Sequence, residues 1–193
     1  MGLVHPSPPA RPYLRRVDLG LTRILPIINI CHMKLSEGVE WALHCTWMMA
    51  AASSPEPLST RRLAEFYDLP APYLAKVLNA LVRAGVLTAT SGPRGGFRLA
   101  RPASEITAAD VVEAVEGRGQ LFSCTEIRQR GPLPLTRAAC RIPCGISRLM
   151  DRAERAWRAE LASTTLEELV GTSGVGATER VSRWLGSPQQ KQA

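Results

Sequence analysis

The sequence predicts a mainly α-helical protein with a small β hairpin, on three observations. Apolar residues recur every three to four positions over several stretches, and glycine and proline cut those stretches short. One pair of strand-like runs flanks the turn SGPRGG at 91–96. At 193 residues, 45% apolar and 21% charged, the chain can bury one ordinary core with an extra arm or tail.

Taken in order, residues 1–32 open on the proline-rich VHPSPPARP and are expected to be disordered, or to precede a true start at Met33. A helix is predicted over 33–51, with Leu35, Val39, Ala42, Thr46 and Met49 in one stripe. Glu40, His44 and Trp47 share a different face. SSPEP then breaks the chain, and STRRLAEFY at 59–67 reads as a short helix that Ser59 or Thr60 caps. The turn Asp68-Leu69-Pro70 leads to a helix over 71–84, with Leu74, Val77, Leu78, Leu81 and Val82 inward. Two short helices across a tight turn are a helix-turn-helix signature.

Gly85 closes that helix. Strands at 86–90 and 97–101 enclose the turn, and a two-stranded hairpin directly behind a helix-turn-helix is a wing. A further helix covers 106–116, completing a reading domain over 33–117. Residues 118–144 form a long loop rich in Gly, Pro and Arg. Periodicity returns over 145–170, where Ile146, Leu149, Ala153, Trp157, Leu161 and Thr164 make a stripe suited to a partner helix. The tail, 171–193, is expected to be loose, with a short turn at 181–185. The fold class is therefore mainly α with a small β wing: a winged helix-turn-helix plus a long C-terminal dimerisation helix.

Charge and motif point to a nucleic acid. Lys and Arg number 24 against 17 acidic residues, a net charge of +7 that suits a polyanion. Pro72, Lys76, Asn79 and Arg83 fall on one polar helix face able to enter a major groove, with Tyr73 beside them. Lys76 suits phosphate or guanine, and Asn79 a base edge or the rim. Arg94, between Pro93 and Gly95, suits a narrow minor groove, while Ser59, Arg61 and Arg62 lie where phosphates run. Otherwise these are a solvated face and an ordinary turn.

Five cysteines, Cys31, Cys45, Cys124, Cys140 and Cys144, argue against a disulfide framework and for a reducing cytoplasm. No run of about 18 apolar residues exists to span a membrane. Cys140 and Cys144 enter the long helix at its N-terminus, where amides and Arg141 favour thiolate. Three cysteines in an arginine-rich loop fit metal binding better than burial. Glu40 and His44, one turn apart, either grip one ion or are a solvated pair.

The strings MKLSEGVEWAL at 33–43, PAPYLAKVLNALVRAGVL at 70–87, SGPRGGFRLARP at 91–102 and ITAADVVEAVEG at 106–117 resemble a family of dimeric winged-helix regulators typified by IscR, NsrR and RsrR. The resemblance runs from Met33 to about Val170. It implies a homodimer on double-stranded promoter DNA, with an iron–sulfur cluster in the loop before the dimerisation helix. Fifteen and then three residues separate the loop cysteines, unlike the shorter, more even gaps typical of four-iron sensors. Glu40, His44 and CTEIRQRGPL at 124–133 look most like the redox-sensing RsrR branch. That branch implies a 2Fe–2S cluster held by Glu40 and His44 of one subunit and Cys140 and Cys144 of the other, with Cys124 over and above. It also implies redox state or nitric oxide as the signal. Trp41, beside Glu40, is then a candidate redox relay or simply packed in the dimer interface. A 4Fe–4S cluster, or zinc on Cys124, Cys140, Cys144 and His44, are the alternatives. An enzyme using Cys144 as nucleophile and His44 as base lacks supporting motifs, and neither membrane nor small-molecule substrate is expected.

Overall fold

A computed structural model describes residues 35–52, 56–174 and 176–186. The arm expected at 1–32, Cys31 and Met33 lie outside the described residues. Among the described residues seven α-helices and one hairpin follow in order: α1 Glu37–Ala52, α2 Thr60–Tyr67, α3 Ala71–Arg83, β1 Leu87–Thr90, β2 Gly96–Leu99, α4 Ala108–Glu116, α5 Gly145–Ser163, α6 Leu166–Gly171 and α7 Ala177–Gly186.

Helix α1 lies at the centre, packed against α3, α4, α6, α7 and the hairpin. Its buried set is wider than one stripe, because neighbours cover it on several sides. Cys45 and Met48 join Val39, Ala42, Thr46 and Met49. Leu35, expected to open that stripe, precedes the helix and is 40% exposed. Thr46 is the buried polar residue of this core, and its hydroxyl donates to the Ala42 carbonyl at 2.9 Å. Burial pushes the Cys45 thiol up to about 12, so it is a packing residue.

Ser59 caps α2 by accepting the Arg62 N–H, and Asp68 ends it in the left-handed region, φ 52°. Proline suits the start of α3, where the first N–H groups have no helical partner. Leu63, Leu74, Leu78 and Leu81 are fully buried and fix the angle between the two helices. The strands are shorter than expected, with Leu87 opposite Leu99 and Thr90 opposite Gly96. Leu58 adds an isolated bridge to β2: its N–H donates to the Phe97 carbonyl and its carbonyl accepts the Phe97 N–H, both at 2.9 Å. A Cβ on Gly96 would meet the Leu58 carbonyl oxygen at 2.5 Å, so this bridge requires glycine.

Two expectations for the C-terminal part are corrected. The helix expected over 145–170 stops at Ser163, because Thr165 opens a capping box with Glu168 and starts α6. Thr164, expected in the stripe, is the C-cap of α5 instead, and its carbonyl accepts the Ala108 N–H at 2.8 Å. The tail expected to be loose contains α7, whose Val181 is fully buried and whose Trp184 ring lies 5.9 Å from that of Phe66. Val181, Trp184 and Leu185 are the apolar side chains by which this short helix packs on the core. Among the described residues no helix is long and apolar enough to cross a membrane.

Candidate nucleic-acid interface and ligand sets

The face of α3 away from the core is open: Pro72, Tyr73, Lys76, Asn79 and Arg83 are all exposed. Tyr73 is held in place from behind, its ring edge-on to Trp41 at 5.2 Å between centroids. The Lys76 ammonium lies 5.9 Å from the centre of the Tyr73 ring. Arg94 is exposed at the wing tip, whereas Gly95 is glycine for an internal reason. A Cβ there would collide with the Thr90 carbonyl oxygen. The two arginines at the start of α2 part ways. Arg61 pairs with Glu65 at 2.7 Å, and Arg62, expected to touch phosphate, donates to the carbonyls of Trp184 and Leu185 at the end of α7.

Glu40 and His44 are exposed one turn apart on α1, with half-buried Trp41 between them in sequence. The His44 ring lies 5.5 Å from that of Tyr67, whose hydroxyl donates to the His44 carbonyl at 2.9 Å. Trp47, expected on the same face, is turned under α6, donating its indole N–H to Ser173 Oγ at 2.7 Å.

The loop cysteines are organised by a pair that sequence reasoning did not single out. Glu126 and Arg128 form a two-pronged ion pair at 2.7 to 3.0 Å. Arg128 also donates to the carbonyls of Cys140, at 3.5 Å, and Ile142, at 3.4 Å. The Cys124 thiol donates to Glu126 Oε1 at 3.7 Å. The Arg128 guanidinium holds the Glu126 carboxyl below its usual range, with the Cys140 and Cys124 thiols adding to the effect. Cys140 is buried, Cys124 exposed, and Cys144 is the N-cap of α5. The Ser147 amide donates to Cys144 Sγ at 3.4 Å, and with the Ile146 amide and Arg128 it lowers the thiol's pKa. No spacing rule pairs residues two apart in an irregular loop, so nothing in the sequence pointed to this clasp.

Among the described residues no three His, Cys, Asp or Glu side chains converge to hold a metal ion. Within one chain, then, Glu40 and His44 stand apart from the loop thiols. The donor chemistry nonetheless suits an iron–sulfur centre, with an open carboxylate–imidazole pair on one element and thiols, one of them acidified, on another.

A polar helix face flanked by a hairpin with an arginine at its tip defines a winged helix-turn-helix, DNA-binding transcriptional regulator. Residues 35–172 match the Rrf2 family, described as "Iron-dependent Transcriptional regulator", and the chain belongs to that family. YffB of Lactococcus lactis, named as an HTH-type transcriptional regulator, is 30% identical over 137 residues, which span 71% of this chain and 86% of that one. A shorter match to YwgB of Bacillus subtilis, also named as an HTH-type transcriptional regulator, is 32% identical over 90 residues, 47% of this chain and 58% of YwgB. The crystal structure of Staphylococcus aureus CymR in its oxidized form superposes with a TM-score of 0.57 at 25% identity, covering 74% of this chain and 99% of CymR. These relatives are regulators, and the chain is not an enzyme.

Proposed function

We propose that this chain is a homodimeric, cytoplasmic regulator that binds double-stranded promoter DNA and responds to redox state or nitric oxide through a 2Fe–2S cluster. The observation that carries the DNA half is the exposed α3 face beside a wing with Arg94 at its tip. In this reading Pro72, Tyr73, Lys76 and Asn79 enter the major groove. Arg94 reaches the minor groove over the Gly95 turn, and Ser59 and Arg61 face backbone phosphates.

For the sensing half, Glu40 and His44 of one protomer, with Cys140 and Cys144 of the partner subunit, would hold the cluster, and Cys124 is a further donor. Bound there, it supplies one-electron redox chemistry at a potential raised by imidazole and carboxylate in place of thiolates. Support comes from the exposed Glu40–His44 pair, the three loop thiols and the family's description as iron-dependent. Trp41 suits a relay role. It adjoins Glu40, and its ring touches Tyr73, the residue that carries Lys76 on its face. A change of Trp41 rotamer therefore alters what supports the reading face, without any long-range path.

Anaerobic purification, a visible spectrum and an iron and sulfide assay test the reading, followed by promoter binding in both oxidation states. Iron, sulfide and state-dependent affinity are expected. A colourless, iron-free dimer would leave a zinc-stabilised or clusterless winged-helix repressor; a four-iron stoichiometry would indicate a 4Fe–4S cluster. Serine substitution of Cys124, Cys140 and Cys144 in turn, and His44→Ala, identifies the donors by loss of colour.

A further inference from the structure

Helix α7 lies beyond residue 172, where the family match ends, and it adds charge to the helix-turn-helix. It runs antiparallel to α2. The Arg180 guanidinium lies over the Phe66 ring at 4.9 Å, near the end of α2. At the other end, Arg62 in the first turn of α2 meets the last turn of α7. Arg183 is exposed and lines, with Glu65, Phe66, Arg180 and Trp184, the cleft between the two helices. Glu65 also holds Arg61 at 2.7 Å, so Arg183 stands on the side of α2 that carries Arg61.

The charge balance of this edge favours an anion. Together α2 and α7 carry Arg61, Arg62, Arg180 and Arg183 against Glu65 and Glu179. The final carbonyls of a helix are the negative end of its dipole and would repel a phosphate. Here Arg62 donates to two of them, at 2.9 Å to Trp184 and 3.2 Å to Leu185, and so masks that end with a guanidinium. The patch is continuous with Ser59 and Arg61, at and beside the start of α2.

We propose that α7 is a clamp on the DNA backbone, with Arg183 contacting a phosphate just outside the base pairs that α3 reads. The clamp rests on the reading of α3 and the wing as the DNA-binding face, and extends it to a helix outside the family match. A phosphate contact carries no base information, so it lengthens the grip on the duplex without changing sequence preference. Each neutralised phosphate steepens the fall of log affinity with log salt by about 0.9, so one contact per protomer of a dimer contributes about 1.8.

The test is the salt dependence of binding by the full chain. The probe is the duplex that wild-type protein enriches from a random-sequence library, used whole and trimmed to the bases that enrichment shows are read. Anisotropy titrations over a range of KCl give the slopes. Arg183→Gln should lower the slope by about 1.8 on the whole duplex and leave it unchanged on the trimmed one. Arg183→Lys, which keeps the charge, should hold the wild-type slope, and this separates a phosphate contact from a purely structural role. A wild-type slope for Arg183→Gln on the whole duplex overturns the clamp, as does Arg183→Lys behaving like Arg183→Gln. Weakened binding by Lys76→Ala and Arg94→Ala beside an unaltered Arg183→Gln sinks the clamp and leaves the reading face. A shallower slope for Arg183→Gln, with Lys76→Ala and Arg94→Ala binding as wild type, sinks that reading face and leaves the phosphate contact. Enrichment of no duplex sinks both.

Discussion

At the residue scale, the four described cysteines divide by environment rather than by number. Cys45 sits in the core with its thiol raised to about 12, while Cys124 is exposed. Iodoacetamide at pH 8 should modify Cys124 in the native apoprotein and spare Cys45, which peptide mapping will show; early modification of Cys45 would contradict its burial. On the reading face, Lys76→Ala should weaken promoter binding by about 1–3 kcal/mol where the side chain pairs bidentately with a base. Fluorescence anisotropy at fixed salt measures this, and unchanged affinity removes Lys76 from the interface. Sequence spacing already put Lys76, Asn79 and Tyr73 on that face, because a single helix settles which side chains share a side. It did not reveal that Trp41 props Tyr73, since contacts between helices depend on how they cross.

At the scale of elements, local chemistry explains both what was legible and what was missed. The helix-turn-helix and hairpin follow from periodicity, proline and glycine, each acting within a few residues. The break between α5 and α6 was also written locally, in Thr165 and Glu168, but the apolar stripe running through it masked the capping box. Thr165→Ala should cost about 0.5–2 kcal/mol in a denaturant melt, since it removes the cap at that break. Docking of α7 was not legible, because it depends on Arg62, 122 residues away from Trp184, donating to that helix's last carbonyls. Arg62→Met should cost about 1.5–3 kcal/mol and expose α7 to protease, followed by limited proteolysis and mass spectrometry. The loop clasp of Glu126 and Arg128 belongs to the same class of contact that no period announces.

For the whole molecule, two buried groups tie stability to alkaline pH. Cys45 and Tyr67 both have folded-state pKa values raised, mainly by burial. The native state therefore keeps protons that the unfolded chain releases, and stability is lost as pH rises above the ordinary values of 9.0 and 10.0. Unfolding free energy should fall from pH 9 upward, and Cys45→Ala should flatten the first part of that fall, before Tyr67 contributes.

The position of α7 has a practical consequence. The family match ends at residue 172, yet the helix beyond it is fastened to α2 through Arg62 and rests on Phe66. A fluorophore attached just downstream of α7 rides on the part proposed to grip the operator, so its energy transfer to a labelled duplex tests for head movement. An affinity tag placed there weighs on that same part.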